Sequence, residues 1–305
     1  MKRTVFALVL GITAASACGP STRDDNFGTN DGGNNGSGSG NGSGSGGAGC
    51  SAASKLIYTV DQGNVLYSFD ATTKTFTSLG TLNCPAGNGG ATPFSMGVDR
   101  NSQAYVLYVD PSGFVAPQVF KVDTTASGIP CTATSFNGAS GLAEFGMGFS
   151  TTTAGGDVDQ LFIAGGDAVS TTSPSTLATL DVTTMATTTI HSLTGSPELT
   201  GNSNGELWGF FPDASNPKIG QINKATGAVT SVNLPASMKG NPMDWAFAFY
   251  GGHYFVFLQR DVNSPDTDTT VYEVTPTGTL VGKTSSGGKH IVGAGVSTCA
   301  PVVIQ

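Results

Sequence analysis

Charge is what this chain lacks most. Only 11% of its 305 residues are Asp, Glu, Lys or Arg, against roughly 25% in an average soluble domain. The 13 basic residues are outnumbered by 21 acidic ones, for a net charge of −8. No basic stripe is available to displace counterions from phosphates, which excludes nucleic acid as a partner. An anionic bilayer surface would repel the same domain. Glu, Lys and Arg are too scarce to fill the exposed faces of long helices. The one extended apolar run, residues 5–17, is shorter than the roughly 20 residues that a membrane-spanning helix needs.

Groups that carry chemistry are also few. The three histidines, His191, His253 and His290, have no second His or carboxylate at ligand spacing, and each reads as a surface or strand residue. No Gly-x-Ser-x-Gly stands in a strand-to-helix context, and no cysteine pair has the close spacing of a zinc site. No catalytic residue is assigned from the sequence.

What the chain has instead is Gly (44 residues), Ser, Thr and Asn. β-Branched Thr packs on pleated surfaces, and Gly and Asn serve tight turns, so the chain reads as all-β. Several segments share one skeleton: a strand ending in Asp or Asn, a short Thr- or Gly-containing turn, and a further strand. The strands are 65–70, 118–123, 177–181, 218–223 and 270–274, and each alternates apolar with polar residues. Asp70, Asp123, Asp181 and Asn223 are expected to form Asx turns, bonding N–H groups two residues on. A more apolar, Gly-containing stretch precedes most units, at 94–99, 145–149, 199–203 and 245–250. The unit near residue 55 has none of its own, and residues 291–296 at the far end of the chain would supply it. Five units of roughly 50 residues match propeller blades. The expected fold is therefore a five-bladed β-propeller over 51–305, closed by the C-terminal strand. An open pair of β-sandwiches and a six-bladed ring are the alternatives.

The N-terminus reads as a targeting segment. Lys2 and Arg3 precede the apolar run, which ends Ala15-Ser16-Ala17-Cys18. Ala-x-Ala alone would suit ordinary secretory cleavage. With Cys18 behind it, the stretch resembles the lipobox of bacterial lipoproteins, with Ala15 where Leu is more usual. The resemblance implies that residues 1–17 are removed and that Cys18 carries a lipid and holds the protein on a membrane. Gly19 stands where Asp would favour inner-membrane retention, so a Gram-negative host would place it in the outer membrane, facing the periplasm or the surface. A secreted soluble protein is the alternative. Residues 18–50, rich in Gly, Ser and Asn, would form a flexible tether with a typical span near 30 Å.

Of the five cysteines, lipidation of Cys18 leaves four, an even number suited to an oxidising compartment. Cys50 and Cys299 bracket the domain and Cys84 and Cys131 bracket the second unit, so these are the expected pairs among three possible connectivities. Two acidic groups are candidate cation sites, with calcium as the one cofactor to consider. Asp261, Asn263, Asp266 and Asp268 gather oxygen ligands in one loop, although a solvated hairpin loop is the simpler reading. Glu144, Glu198 and Asp244 each stand just before an inner strand, where a propeller would bring them toward one mouth of its axis, although three solvated loop residues is the simpler reading. The expected role is a monomeric, membrane-anchored binding or scaffold module for an unknown protein or carbohydrate ligand. The alternative is a metal-assisted hydrolase or lactonase using Glu144, Glu198 and Asp244.

Overall fold

A computed structural model describes residues 50–86, 90–136, 138, 141–261 and 266–303. Cys18 and the rest of the expected signal and tether segments, residues 1–49, lie outside the described residues, as does Asn263. Among the described residues, the β domain is built from twenty strands. The chain opens with β1 (Ile57–Asp61), β2 (Val65–Asp70) and β3 (Thr75–Thr81). Blade 2 follows with β4 (Thr92–Val98), β5 (Gln103–Val109), β6 (Gln118–Asp123) and β7 (Cys131–Ala133). Blade 3 is β8 (Glu144–Thr151), β9 (Asp159–Gly166), β10 (Pro174–Leu180) and β11 (Thr187–Thr194). Blade 4 is β12 (Glu198–Gly201), β13 (Leu207–Phe211), β14 (Lys218–Ile222) and β15 (Val229–Asn233). Blade 5 is β16 (Asn241–Tyr250), β17 (His253–Asp261), β18 (Thr270–Val274) and β19 (Leu280–Ser285). The last strand, β20 (Ile291–Val296), pairs antiparallel with β1 and completes blade 1 in the order β20-β1-β2-β3. These five four-stranded antiparallel sheets form a five-bladed β-propeller.

The strands form where the alternation of side chains lets one sheet face meet its neighbour. Blade faces pack through aromatic and β-branched residues, as in Phe69 and Phe76 of blade 1 against Phe257 of blade 5. Trp208 of blade 4 lies against Tyr254 of blade 5, with ring centroids 4.8 Å apart. The tryptophan and phenylalanines that crowd the fourth and fifth units are thus mainly inter-blade packing. The turns behave as their sequence dictates: Asp70 accepts from the N–H groups of Thr72 and Thr73, and Asp181 from those of Thr183 and Thr184. Asp123 and Asn223 do the same.

Inner strands begin on one rim of the ring and end on the other, here the entry rim and the exit rim. The connections between the second and third strands of each blade share the entry rim. With only five blades, the inner strands come so close that side chains do not fit between them everywhere. A Cβ on Gly148 of β8 would stand 2.8 Å from the carbonyl of Leu199 in β12. One on Gly295 of β20 would stand 2.7 Å from Val98 and 3.0 Å from the backbone of Gly97 in β4. The axis is therefore filled by protein, and every residue of β12 and β20 is buried.

The exit end is covered by the chain that follows β20. There Thr298 donates to Asp159 of blade 3 (2.7 Å) and accepts from Arg100 of blade 2 (3.1 Å). Arg100 also holds Asp159 through two N–H bonds, and the Pro301 carbonyl accepts from Gly251 of blade 5. Both expected disulfides are present. Cys50–Cys299 joins the beginning and end of the ring, and Cys84–Cys131 fastens the outer strand of blade 2 to the loop that enters it. Two such bonds mark a protein that folds outside the reducing cytoplasm.

Candidate functional site

The three carboxylates beside the inner strands occupy the entry side, as their sequence positions require, but they do not form one site. Glu198 opens β12 and turns into the axis, where it is 2% exposed. Its Oε1 accepts from the hydroxyl of Ser95 in β4, and the Met147 N–H of β8 shares both oxygens. One side chain of blade 4 thus touches blades 2 and 3. Burial drives its pKa well above the usual carboxylate range, and these two bonds oppose the shift without overcoming it. Burial thus favours the neutral form of this carboxyl at the centre of the ring.

Glu144 opens β8, and its Oε2 accepts from the Val169 N–H at 2.7 Å. That bond fixes the loop between β9 and β10. Asp244 of β16 accepts from Gln62 Nε2 at 2.9 Å, joining blade 5 to blade 1. Burial raises its pKa, while the Gln62 bond and the nearby charge of His290 act the other way. His290 contacts Gln259 through Nδ1 at 2.7 Å. Because Gln259 Nε2 donates to the Asp266 carbonyl, its Oε1 is the acceptor and His290 Nδ1 carries a proton. The expected convergence of Glu144, Glu198 and Asp244 therefore gives way to three separate structural roles. Among the described residues, no three His, Cys, Asp or Glu side chains stand close enough together to hold a metal ion.

The acidic loop is likewise engaged by its own neighbours. Asp261 ends β17 and is exposed. Asp266 accepts from the Arg260 backbone N–H at 2.9 Å and from its Nε at 3.2 Å. Asp268 accepts from the Ser285 hydroxyl and from the N–H groups of Gly287 and Gly288. Burial would raise its pKa, but these bonds bring it below the usual value. Of the other histidines, His253 meets Glu273 through Nδ1 at 2.6 Å, and His191 is exposed on β11.

One recess went unnoticed in the sequence. A cleft of about 270 Å³ opens on blade 5 and is lined by Ser237, Arg260, Thr270, Tyr272, Lys283, Thr284 and Ser285. Strand register assembles most of it. Thr270 pairs with Ser285 and Tyr272 with Lys283, so these four side chains share one sheet face. Ser237 comes from a single 3-10 turn (Ala236–Met238) that precedes blade 5. Its carbonyl accepts from the Tyr272 hydroxyl at 3.3 Å and from Arg260 Nη1 at 2.7 Å. A second Arg260 bond from Nη1 reaches the Lys239 carbonyl at 2.9 Å. The guanidinium also lies 5.7 Å from the centre of the Tyr272 ring. Period-2 patterning around 270–272 and 283–285 was the available signal, but nothing in it tells that residue 237 would complete the wall.

No protein-family model matches the sequence, and no curated protein matches it closely enough to count as a relative. Solved structures with a similar course of chain include a chain of a nidogen/laminin complex, at 11% identity and a TM-score of 0.47. That match covers 79% of this chain and 97% of the other. An α-L-arabinofuranosidase from Clostridium thermocellum matches at 13% identity and a TM-score of 0.49, covering 74% and 84%. TolB from Acinetobacter baumannii matches at 14% identity and a TM-score of 0.43, covering 79% and 54%. Likenesses of this degree carry no conclusion about activity, because one fold hosts many functions.

Proposed function

We propose that this protein is a non-catalytic binding or scaffold module of the cell envelope, held on a membrane by a lipid at Cys18. The observation that carries the reading is the commitment of its axial groups. The metal-assisted alternative needs Glu144, Glu198 and Asp244 to share an ion. Glu198 is instead buried between three blades and bonded to Ser95 and Met147, Glu144 is spent on Val169, and Asp244 is spent on Gln62. A rigid disulfide-closed ring with a filled axis suits recognition on its outer surfaces and rims, where side chains are free to meet a partner. The lipobox-like Ala15-Ser16-Ala17-Cys18 and the Gly/Ser run after it support display at a membrane.

Intact mass spectrometry of full-length protein extracted from membranes tests the anchor. The mass should begin at Cys18 with acyl chains attached, and each disulfide should take up two hydrogens on reduction. Cys18→Ser should move the protein into the aqueous phase of a detergent partition. A water-soluble mature protein with an unmodified Cys18 would refute the anchor. The binding role is tested by saturable co-sedimentation of the purified protein with isolated envelope fractions, which should survive removal of divalent ions. Hydrolysis of a lactone or aryl glycoside, lost on chelation and restored by calcium, would instead establish the enzymatic alternative.

A further inference from the structure

The cleft on blade 5 has an unusual lining for so acidic a chain. All seven residues carry a hydrogen-bond donor, two are cations, and none is a carboxylate. Asp266 and Asp268 do not line the cleft but are hydrogen-bonded to two residues that do, Arg260 and Ser285 respectively. Lys283 is exposed and forms no ion pair among the described residues. Arg260 is already fixed in place. Its Nε and Nη1 are spent on Asp266, Ser237 and Lys239, and its Nη2 has no bond to a described residue. A guanidinium held this way loses little freedom when it receives a ligand, and its planar donors suit a carboxylate or phosphate.

The remaining polar groups suit a hydroxylated partner. The Tyr272 and Ser285 hydroxyls donate to the Ser237 carbonyl and to Asp268; the Tyr272 oxygen is left able to accept, and that of Ser285, which already accepts from the Gly287 N–H, keeps one lone pair. Thr270, on the same sheet face as Ser285, adds a further hydroxyl to the lining. Its volume of about 270 Å³ falls just below the roughly 300–1,000 Å³ of drug-sized sites. That is room for a single sugar ring and not for a chain of them.

We propose that this cleft binds a small anionic sugar, its carboxylate or phosphate held by Lys283 and Arg260 and its hydroxyls by the surrounding Ser, Thr and Tyr side chains. The proposal names the ligand class of the binding module and rests on that reading. Asp266 neutralises part of the Arg260 charge and Asp268 adds a second negative charge beside Ser285, so Lys283 supplies most of the attraction and the affinity is modest.

Full-length protein is titrated by isothermal calorimetry, at constant ionic strength, with glucuronate, glucose 6-phosphate, inorganic phosphate and glucose. Glucuronate or glucose 6-phosphate should bind saturably, and the stronger of the two identifies the acidic group. Glucose should bind at least about tenfold more weakly, the value of one lost charge-assisted contact. Lys283→Gln, on an exposed outer strand, should weaken binding about tenfold with an unchanged melting temperature. Arg260→Gln should weaken it further while also lowering stability. Phosphate binding as tightly as glucose 6-phosphate would overturn the sugar half of the proposal. Binding of the acidic sugars undiminished in Lys283→Gln would overturn the site. No binding of any probe would overturn the proposal as a whole and leave envelope co-sedimentation, which is measured separately, to decide the module reading.

Discussion

Replacing Glu198 by Gln should stabilise the ring increasingly as pH rises. The amide keeps the acceptor that Ser95 and Met147 use, but it has no proton to lose. Glu198 has a folded pKa well above its ordinary value of 4.5, so above that pH the folded state holds a proton that the unfolded state has released. Stability then falls with rising pH, by about 1.4 kcal/mol per pH unit, until the folded group itself ionises. Between pH 5.5 and 7.5 the wild type should therefore lose stability through this one group. The variant loses none of it. Urea unfolding of both proteins at pH 5.5, 6.5 and 7.5, with equal m-values, gives the difference directly. Other carboxylates titrate in both proteins, so only the difference between the two curves matters. Parallel curves across this window would mean that Glu198 is charged or hydrated in the folded ring, and the account of the axis would fail.

Gly148→Ala places a methyl group against the Leu199 carbonyl and should destabilise by about 3 kcal/mol, read as a drop of roughly 6–10 °C in melting temperature. Removing the Cys50–Cys299 bond with paired Ser substitutions frees a loop with a sequence separation of 249, and chain entropy sets the loss at about 5 kcal/mol in urea unfolding. Removing Cys84–Cys131, with a separation of 47, should lose only about 4 kcal/mol by the same measure. Arg100→Ala leaves Asp159, whose side chain is 8% exposed, without its cation, and should destabilise by about 3 kcal/mol. The double variant Arg100→Ala with Asp159→Asn should recover part of that loss, as the calorimetric enthalpy and melting point of the pair would show.

The ring was legible because its units repeat local chemistry. Asp70, Asp123, Asp181 and Asn223 mark the same turn four times, and the side-chain bonds to the following N–H groups are there in each. Closure by 291–296 was legible because the first unit lacked an inner strand, and β20 occupies those residues. The cysteine pairs followed from the same ring topology. The carboxylates were harder. Their positions along the chain place Glu144 and Glu198 at strand starts correctly, but position does not give direction. Asp244 lies just past a register shift between Pro242 and Asp244, and such irregularities re-aim side chains. Nor does sequence reveal how narrow the axis is, which is what turns Glu198 from a free ligand into a buried acid. The cleft on blade 5 was hidden for a related reason: its wall combines Ser237, Arg260 and Lys283 from three separate segments.

The staple between Cys50 and Cys299 also sets how the domain carries load. Any tension transmitted along the residues before Cys50 enters the propeller at a covalent bond shared with the other end of the chain. Without that bond, the same pull would act on the segment leading into β1 and would draw it away from β20 one hydrogen bond at a time. With it, the seam between first and last strands lies inside a closed covalent loop and is shielded from the force. A pull applied at Cys50 must then open the ring from elsewhere than its seam.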